Sequence, residues 1–372
     1  MTITIRRGVS LYSFQQARFF GDMTLDDELA AVASFGATGV EIVDEMTLRY
    51  PDPGAAFVDH WHRRLAALGL TPVAMDVGMD VLQFRDHVMS HEECAERLRH
   101  DIRLARRLGF GVVRVLSVTP LDVMLRALPE AERQDIRLGR EIHQPMTLEG
   151  PQVAEIIDWA EAQASDRLGI VPDLGIFQFR PSEAHLGWYR RKGAQEAACA
   201  AAIALSDLIR SGEAGSLFDM SRHTAGNVRA DYRRFLTTGE APEGLAPAFR
   251  AVKDWADRHV PAPQEVDYVV VGEALTFSNT RPETLRQIAR HVTHVHGKFY
   301  EMSEIPGRPG QYHDASIDTE AAIGALKAGG FSGYVNSEYE GQRYYQDRTR
   351  AELMSEVEQV RRHQEMLARL IG

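Results

Sequence analysis

Cysteine is almost missing from this sequence. Cys94 and Cys199 are the only two in 372 residues. Each lies in a helix-like stretch, HEECAERLRH or EAACAAAIAL, with no partner at metal-ligand spacing, which excludes a disulfide framework or thiolate metal site and leaves two buried spectator thiols. No apolar run approaches the roughly twenty residues that a membrane helix needs. The opening MTITIRRGVSLYSF has neither the apolar core nor the small-residue cleavage site of a secretory signal. A soluble cytoplasmic protein is expected. Positive charge is in deficit, with a net charge of -11, so a nucleic-acid phosphate backbone, which is held by clustered Lys and Arg, is not an expected partner. The segment GVSLYSFQQ lacks the G-x-G-x-x-G spacing of a dinucleotide-binding turn, and no internal repeat or low-complexity linker divides the chain.

What is present is an ordinary globular balance of 44% hydrophobic and 26% charged residues. Short apolar or β-branched runs recur, each followed by helical periodicity, which is the pattern of parallel βα units. The first run is GVSLYSF at 8–14. A helix follows it, opened by Thr24 with Asp27 three residues on and stopped by Gly36. Further strands are expected at GVEIV (39–43), PVAMD (72–76), VVRVL (112–116), IRLGREIH (136–143), GIVPDLG (169–175), THVHGKF (293–299) and GYVNSE (333–338). A helix through Phe57, Trp61, Leu65 and Leu68 follows the second, and a long charged helix separates the third from the fourth. Eight strands close a barrel whose interior is filled by side chains. The expected fold is therefore an α/β, (β/α)₈ TIM barrel forming a single domain over residues 1–372.

One interval is too long. Asp173 and His296 lie 296 − 173 = 123 positions apart, where a βα unit takes roughly thirty to forty residues. A largely helical insertion between strands six and seven is expected over about 180–285, holding an Ala-rich helix through 183–211, another near 245–258, and the run EVDYVVVGEALTF. With metal-ligand candidates on both flanking strands, it should form a cap over the barrel mouth.

Barrel enzymes place reactive groups where strands end. Glu141 ends IRLGRE, Asp173 ends GIVPD, His296 lies in HVTHVHGK, and Glu338 ends GYVNSE. Each alone could be a helix cap, an ion-pair partner or a core histidine. Together, three carboxylates and one imidazole form an oxygen-rich set for one divalent ion, Mn²⁺ favoured with Mg²⁺, Co²⁺ or Zn²⁺ as alternatives. Without a cation the carboxylates would repel one another. His294 rivals His296 and Glu340 rivals Glu338, because each pair shares strand parity; Glu340 is also a candidate substrate contact.

This arrangement resembles the xylose-isomerase-like TIM barrels, the superfamily of sugar and sugar-phosphate isomerases and epimerases. VHGK, with His296 and Lys298, is similar to the family's seventh strand, and GYVNSE to its eighth. The segments EIHQPM, VPDLGIF, HVHGKFYEM and SEYEGQR resemble more narrowly the catalytic α subunit of C-glycoside deglycosidases. That resemblance implies a metal-dependent carbon–carbon lyase acting on 3-keto C-glycosides together with a small β subunit. The broader one implies a keto-sugar isomerase or epimerase. DNA-repair endonucleases of the superfamily fit less well, since their metal cluster resembles a multi-histidine site, whereas His91, His100, His223 and His313 fall outside the four positions here.

His143 follows Glu141 by two positions, so it faces the same way and can serve as general base. The alternative is a hydrogen-bonding partner behind the ligands. Lys298 offers charge to a developing oxyanion, or else a structural ion pair. Arg180, at the exit of VPDLGIFQFR, is a candidate substrate contact or a surface arginine.

Overall fold

Alternation along short strands decides which side chains face into the barrel and which face the helices. The computed structural model describes residues 4–218, 220, 225–277 and 280–372. Its barrel strands are β1 (Ile5–Ser10), β2 (Gly39–Val43), β3 (Thr71–Val77), β4 (Val112–Val115), β5 (Arg137–Ile142), β6 (Leu168–Pro172), β7 (Val295–Phe299) and β8 (Gly333–Tyr339). They pair in parallel in the order β6-β5-β4-β3-β2-β1-β8-β7. Bridges Ile170–Val292 and Asp173–His296 bring β6 against β7, so the barrel is nearly closed. All eight expected strands are there. The first is shifted, because residues 11–14 leave the sheet as a 3₁₀ turn.

The outward set is apolar. Val40, Ile42, Met75, Val113, Leu138, Ile170 and Val335 join helix residues such as Leu29, Trp61, Leu98 and Ile323 in the main core. The surrounding helices start on side-chain caps: Thr24 and Asp27 form a reciprocal box before Leu25–Ser34, and Ser90 and Glu93 form another before His91–Leu108. The inward set differs. Val73, Ala74, Val112 and Tyr334 make a small apolar plug. A Cβ on Gly39 would lie 2.5 Å from the Tyr334 ring, and one on Gly8 2.0 Å from Asn336 Oδ1, so these glycines make room for the larger side chains of β8. Above the plug, Glu41, Asp76, Arg114, His294 and Asn336 are all buried. A barrel interior of this size is usually filled by branched apolar residues; this one is largely polar.

Between β6 and β7 lie helices Glu183–Arg191, Glu196–Ser211, Ala225–Thr238, Ala246–His259 and Glu265–Gly272. They enclose a core of their own, including Leu186, Cys199, Tyr232, Phe249 and Val270. The expected single helix over 183–211 is two helices, parted near Gly193, whose φ of 96° suits glycine. EVDYVVVGEALTF, strand-like in composition, is helix Glu265–Gly272 followed by a 3₁₀ turn, with Val270 and Val271 fully buried. Its β-branched residues face other helices, and no strand pairs with it among the described residues. Residues 219, 221–224 and 278–279 of the expected insertion, and with them His223, lie outside the described residues. No helix among the described residues is long and apolar enough to cross a membrane.

Candidate metal centre

Glu141 near the end of β5, Asp173 just past β6, His296 on β7 and Glu338 on β8 turn inward at one level. Each offers a ligand atom, and the four atoms lie within 4.8 Å of one another. His296 Nδ1 is 3.0 Å from Glu141 Oε1 and 3.1 Å from Glu338 Oε2. All four are buried. Asp173 Oδ1 accepts from the Gly175 amide at 2.7 Å, which fixes the carboxylate at the start of the following turn.

The charges explain why such a set suits a cation. Burial pushes the Asp173 carboxyl up to about 6, with Glu338 and Glu141 adding to the rise and Lys298 opposing it. Burial would also raise Glu338, but His296 and Lys298 bring it down to about 2. For His296 burial favours the neutral ring, and the surrounding carboxylates Glu338, Glu41 and Glu141 outweigh it and raise the imidazole well above its ordinary range. Concentrated buried carboxylates and an imidazole at one point fit one divalent ion.

A cavity of about 800 Å³ opens above this set. It is lined by Glu141, Asp173 and Glu338, and also by His143, Lys298 and Glu340. Lys298 Nζ lies 3.0 Å from Asp173, 3.1 Å from Glu338 and 3.2 Å from Glu340, so it bridges two ligands and their neighbour. His143 Nδ1 contacts the Gln144 carbonyl, and Nε2 lies 2.8 Å from Ser117 Oγ. Because a carbonyl only accepts, Nδ1 carries the proton of the neutral ring and Nε2 holds the lone pair. Glu340 pairs with Arg343 at 2.9 Å and accepts from Tyr12 at 3.3 Å.

Arg180 stands apart. It lines a different cavity, donating to the Ala315 carbonyl at 2.9 Å and facing Asp207 at 3.5 Å. The rival His294 pairs below with Glu41. Sequence reasoning missed Asp76, Arg114 and Arg229, which line the main cavity. Arg114 Nη2 is 3.0 Å from Asp76, and Nη1 is 3.7 Å from Glu141. Arg229 comes from the insertion and is held by the buried Glu273 at 2.9 Å. The available signal was a lone charge inside an apolar strand, as in PVAMD and VVRV.

The sequence pattern described as xylose isomerase-like TIM barrel matches residues 29–254. The chain belongs to this family. Among curated relatives, it is 30% identical over 341 residues to a 3'-dehydrocarminate deglycosidase alpha subunit from Microbacterium sp., covering 90% of this chain and 88% of that protein. It is 31% identical over 343 residues to a C-glycoside deglycosidase alpha subunit from Arthrobacter globiformis, covering 90% of this chain and 84% of that one. Among solved structures, the IOLI protein with a bound zinc atom aligns with a TM-score of 0.51 at 13% identity, covering 99% of this chain and 98% of that one, a likeness of fold alone. The relatives in this xylose isomerase-like family carry enzyme names, in agreement with the expectation of an enzyme.

Proposed function

We propose that this chain is the catalytic α subunit of a metal-dependent lyase that cleaves the carbon–carbon glycosidic bond of 3-keto C-glycosides. The observation that carries the reading is a four-ligand set sharing one cavity with His143 and Lys298, in a chain 30–31% identical to deglycosidase alpha subunits over 90% of its length. A divalent ion held by Glu141, Asp173, His296 and Glu338, Mn²⁺ in preference to Mg²⁺, Co²⁺ or Zn²⁺, would supply Lewis-acid polarisation of the substrate ketone and acidify its neighbouring C–H.

The residues themselves carry the proton. His143 Nε2 takes the proton from C2 of the 3-keto sugar, once Ser117 turns from it, and the C–H electron pair becomes an enolate. Lys298 faces the oxygen on which charge develops. The pair then forms a C1–C2 double bond as the C1–aglycone bond breaks, and its electrons leave on the aglycone carbon. That carbon takes back the proton held by His143. The products are an enone and a free aglycone, and the imidazole is restored.

The insertion, over about 180–285, acts in this reading as a cap that limits water and contacts the aglycone. The placement of Arg229 in the cavity lining supports that role. A small β subunit is the proposed partner, in line with the alpha-subunit names of the relatives. The test is to incubate Mn²⁺-loaded chain, alone and with a candidate β subunit, with 3-keto C-glycosides and with free keto sugars. Aglycone release is expected. Interconversion of free keto sugars without release would assign an isomerase or epimerase instead.

A further inference from the structure

We infer that Glu41 is a positioning residue that holds the His296 ring so that Nδ1, and not Nε2, is presented to the metal ion. The inference rests on the metal centre proposed above and concerns the layer of the barrel beneath it.

A neutral imidazole has one N–H and one lone pair, and only the lone pair can bind a metal. His296 Nδ1 lies at the donor set, 3.0 Å from Glu141 and 3.1 Å from Glu338. The N–H must then sit on Nε2, which points down the barrel into a region with no exposed surface. There Nε2 is 3.3 Å from Glu41 Oε1 and 3.9 Å from Asp76 Oδ1. Nε2 and Glu41 Oε1 are both buried without another hydrogen-bond partner, so each is the complement the other lacks. Asp76 Oδ1 is the poorer acceptor because it is more distant, and its carboxylate is drawn through Oδ2 toward Arg114 Nη2 at 3.0 Å.

Glu41 is itself fixed. Its other oxygen, Oε2, accepts from Asn336 Nδ2 at 3.1 Å and contacts His294 Nε2. The two histidine rings meet edge-on, with centroids 5.6 Å apart at 78°. One carboxylate oxygen is thus anchored to His294, just before β7, and to Asn336 of β8, leaving the second to take the His296 N–H. Carboxylates behind metal-bound histidines commonly set both ring orientation and ligand basicity. A competing reading makes Glu41, His294 and His296 a second ion site, since their ligand atoms also lie within 4.8 Å. The Asn336 amide donor on Glu41 and the Arg114 guanidinium beside Asp76 disfavour a cation there.

Two measurements on the full chain test this. In Zn²⁺-loaded wild type labelled with ¹⁵N-histidine, long-range NMR correlations, assigned against His296→Gln, should show Nδ1 metal-bound and Nε2 protonated. Coordination through Nε2 overturns the inference, whether or not Glu41→Gln folds. Titration of metal-free protein with Mn²⁺ should give one ion per chain, with affinity about ten- to a hundredfold weaker in Glu41→Gln and a smaller change in Asp76→Asn. Unchanged affinity in Glu41→Gln overturns it, as do two ions per wild-type chain with one lost in that variant. A wild-type chain that binds no ion overturns the metal centre itself and this inference with it, and the wild-type titration alone distinguishes that case.

Discussion

Two tiers of the barrel interior hold nearly the same chemistry and arrange it to opposite ends. In the upper tier, Glu141, Asp173, His296 and Glu338 converge beneath an open cavity. In the lower tier, Glu41 is tied to His294 and Asn336, and Asp76 to Arg114, with Glu41, His294 and Asn336 fully buried. The tiers differ in how their carboxylates converge: three meet around His296 and Lys298 in the upper one, whereas in the lower one Glu41 and Asp76 are held apart by Asn336 and Arg114. Only the upper convergence has the make-up of a single-ion donor set. The cavity reaches Asp76 and Arg114 as well as the upper set, while Glu41, His294 and Asn336 lie beneath it.

Breaking the upper tier should have the largest effect. Glu141→Ala is expected to lose the bound ion and bring turnover to background, with elemental analysis and aglycone release as the measurements; retained stoichiometric metal would remove Glu141 from the ligand set. His143→Ala should leave the ion in place and lower turnover by about a hundred- to ten-thousandfold, the usual worth of a general base. Normal turnover in that variant would pass the role to Glu340, the nearby carboxylate that shares Lys298.

The lower tier should respond in stability. Arg114→Met leaves Asp76 buried without its cation and is expected to cost about 3–5 kcal/mol in denaturant unfolding. An unchanged midpoint would mean that Asp76 is protonated and needs no partner, a possibility its strongly raised carboxyl pKa, driven by burial against the pull of Arg114, makes worth measuring. The effect that is absent at neutral pH and appears only in acid lies outside the barrel wall. Burial lowers His363 to about 3, and its ring stacks on Phe299 at 4.1 Å. Between pH 6.5 and about 3 the unfolded chain therefore takes up a proton that the folded one refuses, so stability present above pH 6.5 is lost as pH falls, by up to about 1.4 kcal/mol per pH unit. His363→Phe should flatten that limb of the stability profile; parallel profiles would show that the ring is protonated in the fold.

The upper tier was legible in the sequence because its residues stand at strand ends, where a charge breaks an apolar run and chain order gives barrel order. Glu41, Asp76 and Arg114 were not read, since GVEIV, PVAMD and VVRV look like strand filler with one irregular residue. A single strand cannot reveal the partner that neutralises it: His294 meets Glu41 across 253 positions of chain. Strand parity likewise left His294 and His296 equivalent, and their different depths separated them. In the insertion, EVDYVVVGEALTF has no assignment from sequence because its β-branched run carries no helical periodicity, and burial among helices makes it a helix. Arg180 had no periodic signal at all, and its neighbours came from the loops around residues 305–319 and the C-terminal helix Glu356–Ile371.

The most direct test of the contrast is crystallographic. Crystals of the full chain grown with Mn²⁺, with anomalous scattering recorded on both sides of the manganese edge, should show one peak per chain bounded by Glu141, Asp173, His296 and Glu338, with His296 turned so that Nε2 meets Glu41. No peak under metal-replete conditions, or a peak seated between Glu41 and His294, would contradict the assignment of the two tiers.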